Sequence, residues 1–156
     1  MRQILRQHES GRDPWRYPGE AGDGPQLLTL AELLVTAPWL PAMAGVYIGP
    51  TDEVLLLADV IDRILLVVVH FENGGDGRGF SQAQVLRQQL RFAGELRACG
   101  ALKRDHLYLL ARCGFNAFDL DPGEDRAAAL AQLQRFSVAY QRASGTLVQP
   151  RLRTQA

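Results

Sequence analysis

Apolar positions along this chain follow two rhythms in alternation, and the stretch from Asp76 to Leu120 carries both. Ile64-Leu65-Leu66-Val67-Val68-Val69 is a continuous run rich in β-branched residues. That pattern belongs to a strand covered on both faces, so the run predicts the central strand of a sheet. Glu95 to Cys99 alternates as a strand does, and Val46-Tyr47-Ile48 and Ala117 to Leu120, bounded by glycine or by Pro122-Gly123, read as shorter ones.

Helical spacing fills the intervals. Thr29 and Glu32 stand at capping-box spacing and predict a helix from Leu30 to about Thr36, ended by Pro38 and Pro41. Thr51 to Ile61 predicts another, with Thr51 as cap and Asp52 and Glu53 placed for the helix dipole, although Leu55-Leu56-Leu57 would also suit a buried strand. Ser81 and Gln84 repeat the capping-box pair and open a helix from Gln82 to Arg91. A helix from about Lys103 to Cys113 stops at Gly114 as a left-handed cap, and Ala- and Leu-rich Glu124 to Arg135 forms the last. Phe136, Val138 and Tyr140 suit either a final strand or continuation of that helix.

The predicted fold is therefore α/β: a mostly parallel sheet built from repeated β-α units, open or partial-barrel-like. Residues 1–25, dense in glycine and proline, predict an irregular amino-terminal arm draped over the body, with at most a short strand near Gln3 to Arg6. Trp15 and Tyr17 are its expected anchors, on the body or on a partner. Residues 26–143 form a single domain, and 144–156, with Gly145, Pro150, Arg151 and Arg153, a flexible tail.

At 156 residues and 47% hydrophobic, the chain can bury a core without metal or disulfide support. Seventeen basic residues balance seventeen acidic ones, which removes the general field that draws a protein to nucleic acid or an anionic membrane. Cys99 and Cys113 are too few for a secreted disulfide scaffold. Met1 to Ser10 lacks the apolar core of a signal peptide and Ile64 to Val69 is too short to span a bilayer, so a cytoplasmic protein is expected.

In parallel α/β sheets ligands gather at the carboxyl ends of the strands. That rule selects His70, Glu72, Asn73, Asp76 and Arg78 after the central strand. It adds Cys99, Lys103, Arg104 and Asp105 after the next, and Asp119 and Asp121 after the last. The glycine-rich turn before Ser81 resembles loops that cradle phosphate, with Gly79 and Arg78 at a helix start, yet it has neither Walker nor GxGxxG spacing and also suits a plain tight turn. Glu95 and Arg97 point to one face of one strand, so they form an internal ion-pair network, with each other or with a neighbour such as Asp119, or line a wet cavity. Cys99 is a conceivable nucleophile near Lys103. His70 and His106 have no partner at metal-ligand spacing, and His8 lies in the arm. No CxxC, HExxH, Ser-His-Asp or redox-cofactor fingerprint occurs, so neither a metal nor a cofactor is expected.

DGRGFSQAQVLR, GELRACG and KRDHLYLLARCGFNAFDL, with weaker similarity at Asp13-Pro14-Trp15 and Ser137 to Gln141, closely resemble the bacterial domain of unknown function 934 family. The resemblance implies a part in assimilatory sulfite reduction, because members lie beside sulfite reductase genes. The matching positions are Asp76, Arg78, Ser81, Arg97, Arg104 and Asp105. The chain departs from the family pattern at Gly74, where an aromatic is usual, at Ala101, where an acid is usual, and at His106, where glutamine is common. Proton transfer would then fall to Asp76 or Asp105.

Three expectations follow. The first is an accessory protein of assimilatory sulfite reduction, acting with sulfite reductase through a rim of Arg78, Gly79, Ser81, Arg97 and Arg104. The second is a small-molecule enzyme binding an anionic sulfur or phosphate compound at Gly77 to Ser81, with Asp76 or Asp105 as acid or base. The third is a structural adaptor whose partner covers Trp15 and Tyr17.

Overall fold

The computed structural model describes residues 2–6, 10–41 and 43–144. Seven strands, β1 (Gln3–Arg6), β2 (Ser10–Arg12), β3 (Leu28–Thr29), β4 (Ala44–Ile48), β5 (Ile64–Phe71), β6 (Glu95–Gly100) and β7 (Ala117–Phe118), form one sheet ordered β2-β1-β7-β6-β5-β4-β3. β3 to β7 are parallel and lie side by side in chain order, whereas β1 runs antiparallel to β7 and β2 antiparallel to β1. The sheet is open, with β2 and β3 at its edges, so the α/β reading holds in its open form.

Strands added in chain order by right-handed crossovers place every connecting helix on the same face. The packing follows this rule. Leu30 and Leu33 of α1 (Leu30–Thr36), Ala83 of α2 (Gly77–Gln84), Leu107 and Leu110 of α3 (Leu107–Arg112), and Ala129 and Leu133 of α4 (Arg126–Ser144) share one core with Val46, Val67, Val69, Leu96, Ala98 and Phe118. The strand side chains between these point the other way, to a face with no helix among the described residues. There Leu66, Val68 and Cys99 are covered by Tyr17 and Leu27, with Trp15 and Tyr47 packed alongside.

The segment expected to drape over the body therefore does structural work at the sheet. Its residues Ile4 and Leu5 are buried within β1, and Trp15 and Tyr17 anchor to the chain's own sheet, so neither is presented to a partner as the adaptor expectation requires. The strap turns at Tyr17-Pro18-Gly19-Glu20: Glu20 N donates to Tyr17 O at 3.0 Å, and Gly19 adopts φ +85°, the left-handed conformation a turn of this type reserves for glycine. It lies so close to β4 that a Cβ on Gly45 would sit 2.5 Å from Leu27 Cδ2 and 2.7 Å from Trp15 Cζ3.

Three predicted helices differ in detail. Thr51 to Ile61 forms two short 3-10 turns, Val54–Leu57 and Ile61–Arg63. Buried Val54, Leu57 and Val60 recur every third residue, which is the 3-10 period, while Leu55 and Leu56 face out. α2 begins at Gly77, not Gln82: Asp76 caps it by accepting from Arg78 N at 3.0 Å, and Ser81 Oγ donates instead to Gly77 O at 3.3 Å. It then widens into a π turn over Val85–Gln89 and ends before Arg91, whose φ is +54°. α4 continues through 136–140, so no strand forms there. The cap at Gly114 holds, with φ +110° and Phe115 N donating to Leu110 O at 3.1 Å. His8 and the tail from Gly145 lie outside the described residues.

Gly45→Ala should destabilise the protein by about 1–3 kcal/mol through overpacking and should lift the strap from β4. Denaturant unfolding measures the first effect. Limited proteolysis near the Tyr17–Glu20 turn, faster in the variant, measures the second.

Candidate functional site

Because β4 to β7 are parallel, the chain segments that leave them all emerge along one edge of the sheet. Asp76, Arg78, Gly79 and Ser81 lie at the start of α2 beyond β5, Arg104 and Asp105 on a 3-10 turn (Arg104–His106) beyond β6, and Asp119 and Asp121 beyond β7. The first two groups adjoin, since the Gly74 position faces the His106 ring: a Cβ there would lie 2.5 Å from His106 Cε1. The ring at 106 thus fills space that a side chain at 74 would need.

Arg97 does not belong to this rim. It lies on the helix-free face of β6 and is 0% exposed, with Nη1 2.7 Å from Asp13 Oδ2, Nη2 2.7 Å from Glu95 Oε1, and Tyr17 Oη 3.4 Å from Nη1. Burial alone would lower its pKa, but Tyr17, Glu95 and Asp13 together more than offset this and raise it. The internal ion-pair network is therefore the reading that holds, with Asp13 of the strap as its second acid in place of Asp119. Arg6 extends it, donating to Glu95 Oε2 at 3.0 Å.

Asp119 pairs with the strap as well, through Arg2 Nε at 2.8 Å, while Arg2 also holds Glu20 and stacks 3.7 Å over the Tyr17 ring. Burial raises the Asp119 pKa and the Arg2 charge opposes that rise. A cleft of about 620 Å³ opens beside this pair, lined by Arg2, Gly100, Asp119, Asp121 and Arg126.

At the start of α2, the half-exposed Arg78 side chain and the 8% exposed Asp76 side chain form a forked pair, Nη2 to Oδ2 at 2.7 Å and Nε to Oδ1 at 3.0 Å. The Arg78 guanidinium and its backbone amide hold the Asp76 carboxyl below the usual range, so it is ionised and not a proton donor near neutral pH. Gly79 is buried because a Cβ there would lie 2.5 Å from the Phe71 ring. This glycine serves helix-on-strand contact. A second cleft, about 580 Å³, runs between this helix start and the Pro50–Val54 segment.

Cys99 faces the strap, 3.7 Å from His70 Nδ1 and 4.0 Å from Tyr47 Oη. Burial pushes its thiol up to about 12, which keeps it protonated and removes its promise as a nucleophile. Among the described residues, no group of three or more His, Cys, Asp or Glu is placed to hold a metal ion, and no helix is long and apolar enough to cross a membrane.

Sequence reasoning passed over Arg2, Asp13 and Gln82. Asp13 was signalled by its place two residues before Trp15, an acid close to an anchoring aromatic. Arg2 and Gln82 had no local signal, because their partners lie far away in the chain.

Fold and rim define a small open α/β protein whose one-sided sheet is closed by its own amino-terminal strap. The sequence profile of a family described as bacterial protein of unknown function (DUF934) matches residues 45–150, and the chain belongs to that family. The matched region starts within β4 and so excludes the strap. No curated protein matches the chain.

The buried thiol makes stability fall in alkali. An unfolded cysteine ionises near 9, whereas the folded one resists to about 12, so across that window the unfolded state releases the proton and gains relative stability. Each such proton contributes a slope of up to about 1.4 kcal/mol per pH unit. Cys99→Ala should flatten the loss of stability between these two values without abolishing it, because Tyr17 and Tyr47 are also raised, chiefly by burial. Denaturant unfolding at a series of alkaline pH values tests this.

Proposed function

We propose that this protein is a cytoplasmic accessory protein of assimilatory sulfite reduction that works with sulfite reductase and meets it through the polar rim at the carboxyl edge of the sheet. The sulfur assignment rests on the family resemblance. The observation that carries the contact role is the half-exposed Arg78 guanidinium, held in a forked pair by a largely covered Asp76 on a capped helix next to the turn bearing Arg104. Fixed charges of both signs on an open edge suit electrostatic recognition of a protein surface. Catalysis draws less support: both oxygens of Asp76 are engaged by Arg78, and Cys99 is held as a neutral thiol.

The small-molecule enzyme acting on an anionic sulfur or phosphate compound is the weaker reading. Asp76 already occupies both the Arg78 amide and the Arg78 guanidinium, the groups that would receive the anion.

Purified sulfite reductase should bind the wild-type chain in a salt-sensitive manner, and the double reversal Arg78→Glu with Arg104→Glu should weaken binding about tenfold or more. Trp39→Ser, which alters a residue 84% exposed on the turn after α1, should leave binding unchanged. Absence of binding by the wild type, equal binding by the double reversal, or loss confined to Trp39→Ser would each overturn the rim reading.

A further inference from the structure

Gln82 is buried, 6% exposed, and forms part of the wall of the cleft between α2 and the Pro50–Val54 segment. Its Nε2 donates to Gly49 O at 2.9 Å and to Asp52 O at 3.0 Å, which fixes the orientation of the amide: turning it over would set its oxygen against two carbonyls. The fixed amide leaves Oε1 as a buried acceptor with no partner. Buried acceptors are rarely left unpaired, and the missing partner must be a donor.

The charges around the cleft have the same preference. Three carboxylates, Asp52, Glu53 and Asp76, line it against one guanidinium, Arg78. Asp52 Oδ2 is engaged with Gly49 N at 2.7 Å and Glu53 Oε1 with Leu55 N at 3.2 Å, so both carboxylates are held in place by backbone amides. An anion meets net repulsion here. A cation with N–H donors suits both the acidic lining and the orphaned acceptor.

We propose that this cleft is a binding site for a ligand carrying an ammonium or guanidinium group, which donates to Gln82 Oε1 and is held by the acidic lining. Arg78 acts as a competing cation, neutralising Asp76 while the site is empty of ligand. The site reverses the sign of the anion receptor that the arginine and glycine-rich turn suggest in sequence, and it does not depend on any contact with sulfite reductase.

The test uses the isolated full chain, labelled with nitrogen-15, titrated separately with agmatine, with a blocked Gly-Arg-Gly peptide, with sulfite and with phosphate. Agmatine or the peptide should move the Gln82 side-chain amide and the amides of residues 51–54 and 77–82 in a saturable way; tighter binding of the first marks a free small amine, and of the second a side chain of a polypeptide. Gln82→Met should weaken the binding amine about tenfold or more, the worth of a hydrogen bond to a charged donor. Glu53→Gln, which keeps the local fold should Gln82→Met lose it, should weaken it about threefold, as an exposed charge pair does. Arg78→Ala should tighten it by a similar factor by freeing Asp76. Saturable binding of sulfite or phosphate at these amides, no response to either amine, or weaker amine binding in Arg78→Ala would overturn the proposal. The reductase is absent from every arm, so failure here leaves the rim reading to its own test.

Discussion

The guanidinium of Arg97 is the joint on which this architecture depends. It is fully buried between β6 and the strap, with Asp13 from the strap and Glu95 from its own strand at 2.7 Å each. A buried pair of this kind adds little over a well-packed apolar replacement, but removing one partner strands a charge in the interior and costs about 3–5 kcal/mol. Its effect is specificity of position: Asp13 can satisfy Arg97 from one place only, so the strap is fixed in register over the sheet.

The need for such a joint comes from topology. A sheet wound in one direction collects its helices on one face and leaves the other face apolar and bare, a state a soluble sheet does not tolerate. A barrel solves the problem by closing on itself. This chain uses about fifteen residues of irregular backbone, roughly the span a few extended turns require, and seats Trp15, Tyr17 and Leu27 on Leu66, Val68 and Cys99. The neutral thiol of Cys99 and the raised tyrosines are consequences of that cover, since all three sit where the strap excludes water.

Most of the helical face was legible because its signals are local. The Thr29–Glu32 capping box, the Gly114 stop and the run from Ile64 to Val69 each act through neighbours in the chain, and each appears where the pattern placed it. The strap was not legible in the same way. Its glycines and prolines announce irregular backbone, but only the one-sidedness of the sheet, which emerges when all five parallel strands are assembled, gives that backbone a surface to cover. Arg97 and Glu95 on one face were a sound warning that something polar met them, and the missing acid came from eighty-four residues away. The start of α2 shows a different failure. Two caps compete within six residues, and the helix that starts at the Asp76 cap is the one that includes Gly79, whose missing side chain lets it pack on Phe71.

The same strap divides the carboxyl edge into two unlike parts. The cleft beside α2 is built from Asp52, Glu53, Asp76, Arg78 and Gln82, all residues of the body that the family profile covers. The cleft beyond β6 and β7 takes Arg2 and Gln3 from the amino-terminal segment, and Arg2 joins Asp119 to the strap by stacking on Tyr17. A ligand in the second cleft would therefore bind more tightly to the strapped sheet than to an unstrapped one and stabilise it by linkage, whereas a ligand in the first would be indifferent to the strap. Position along the edge thus decides which molecule the protein can couple to its own closure, and the coupling falls to the half where the charges are balanced, two arginines against two aspartates, not to the acidic half.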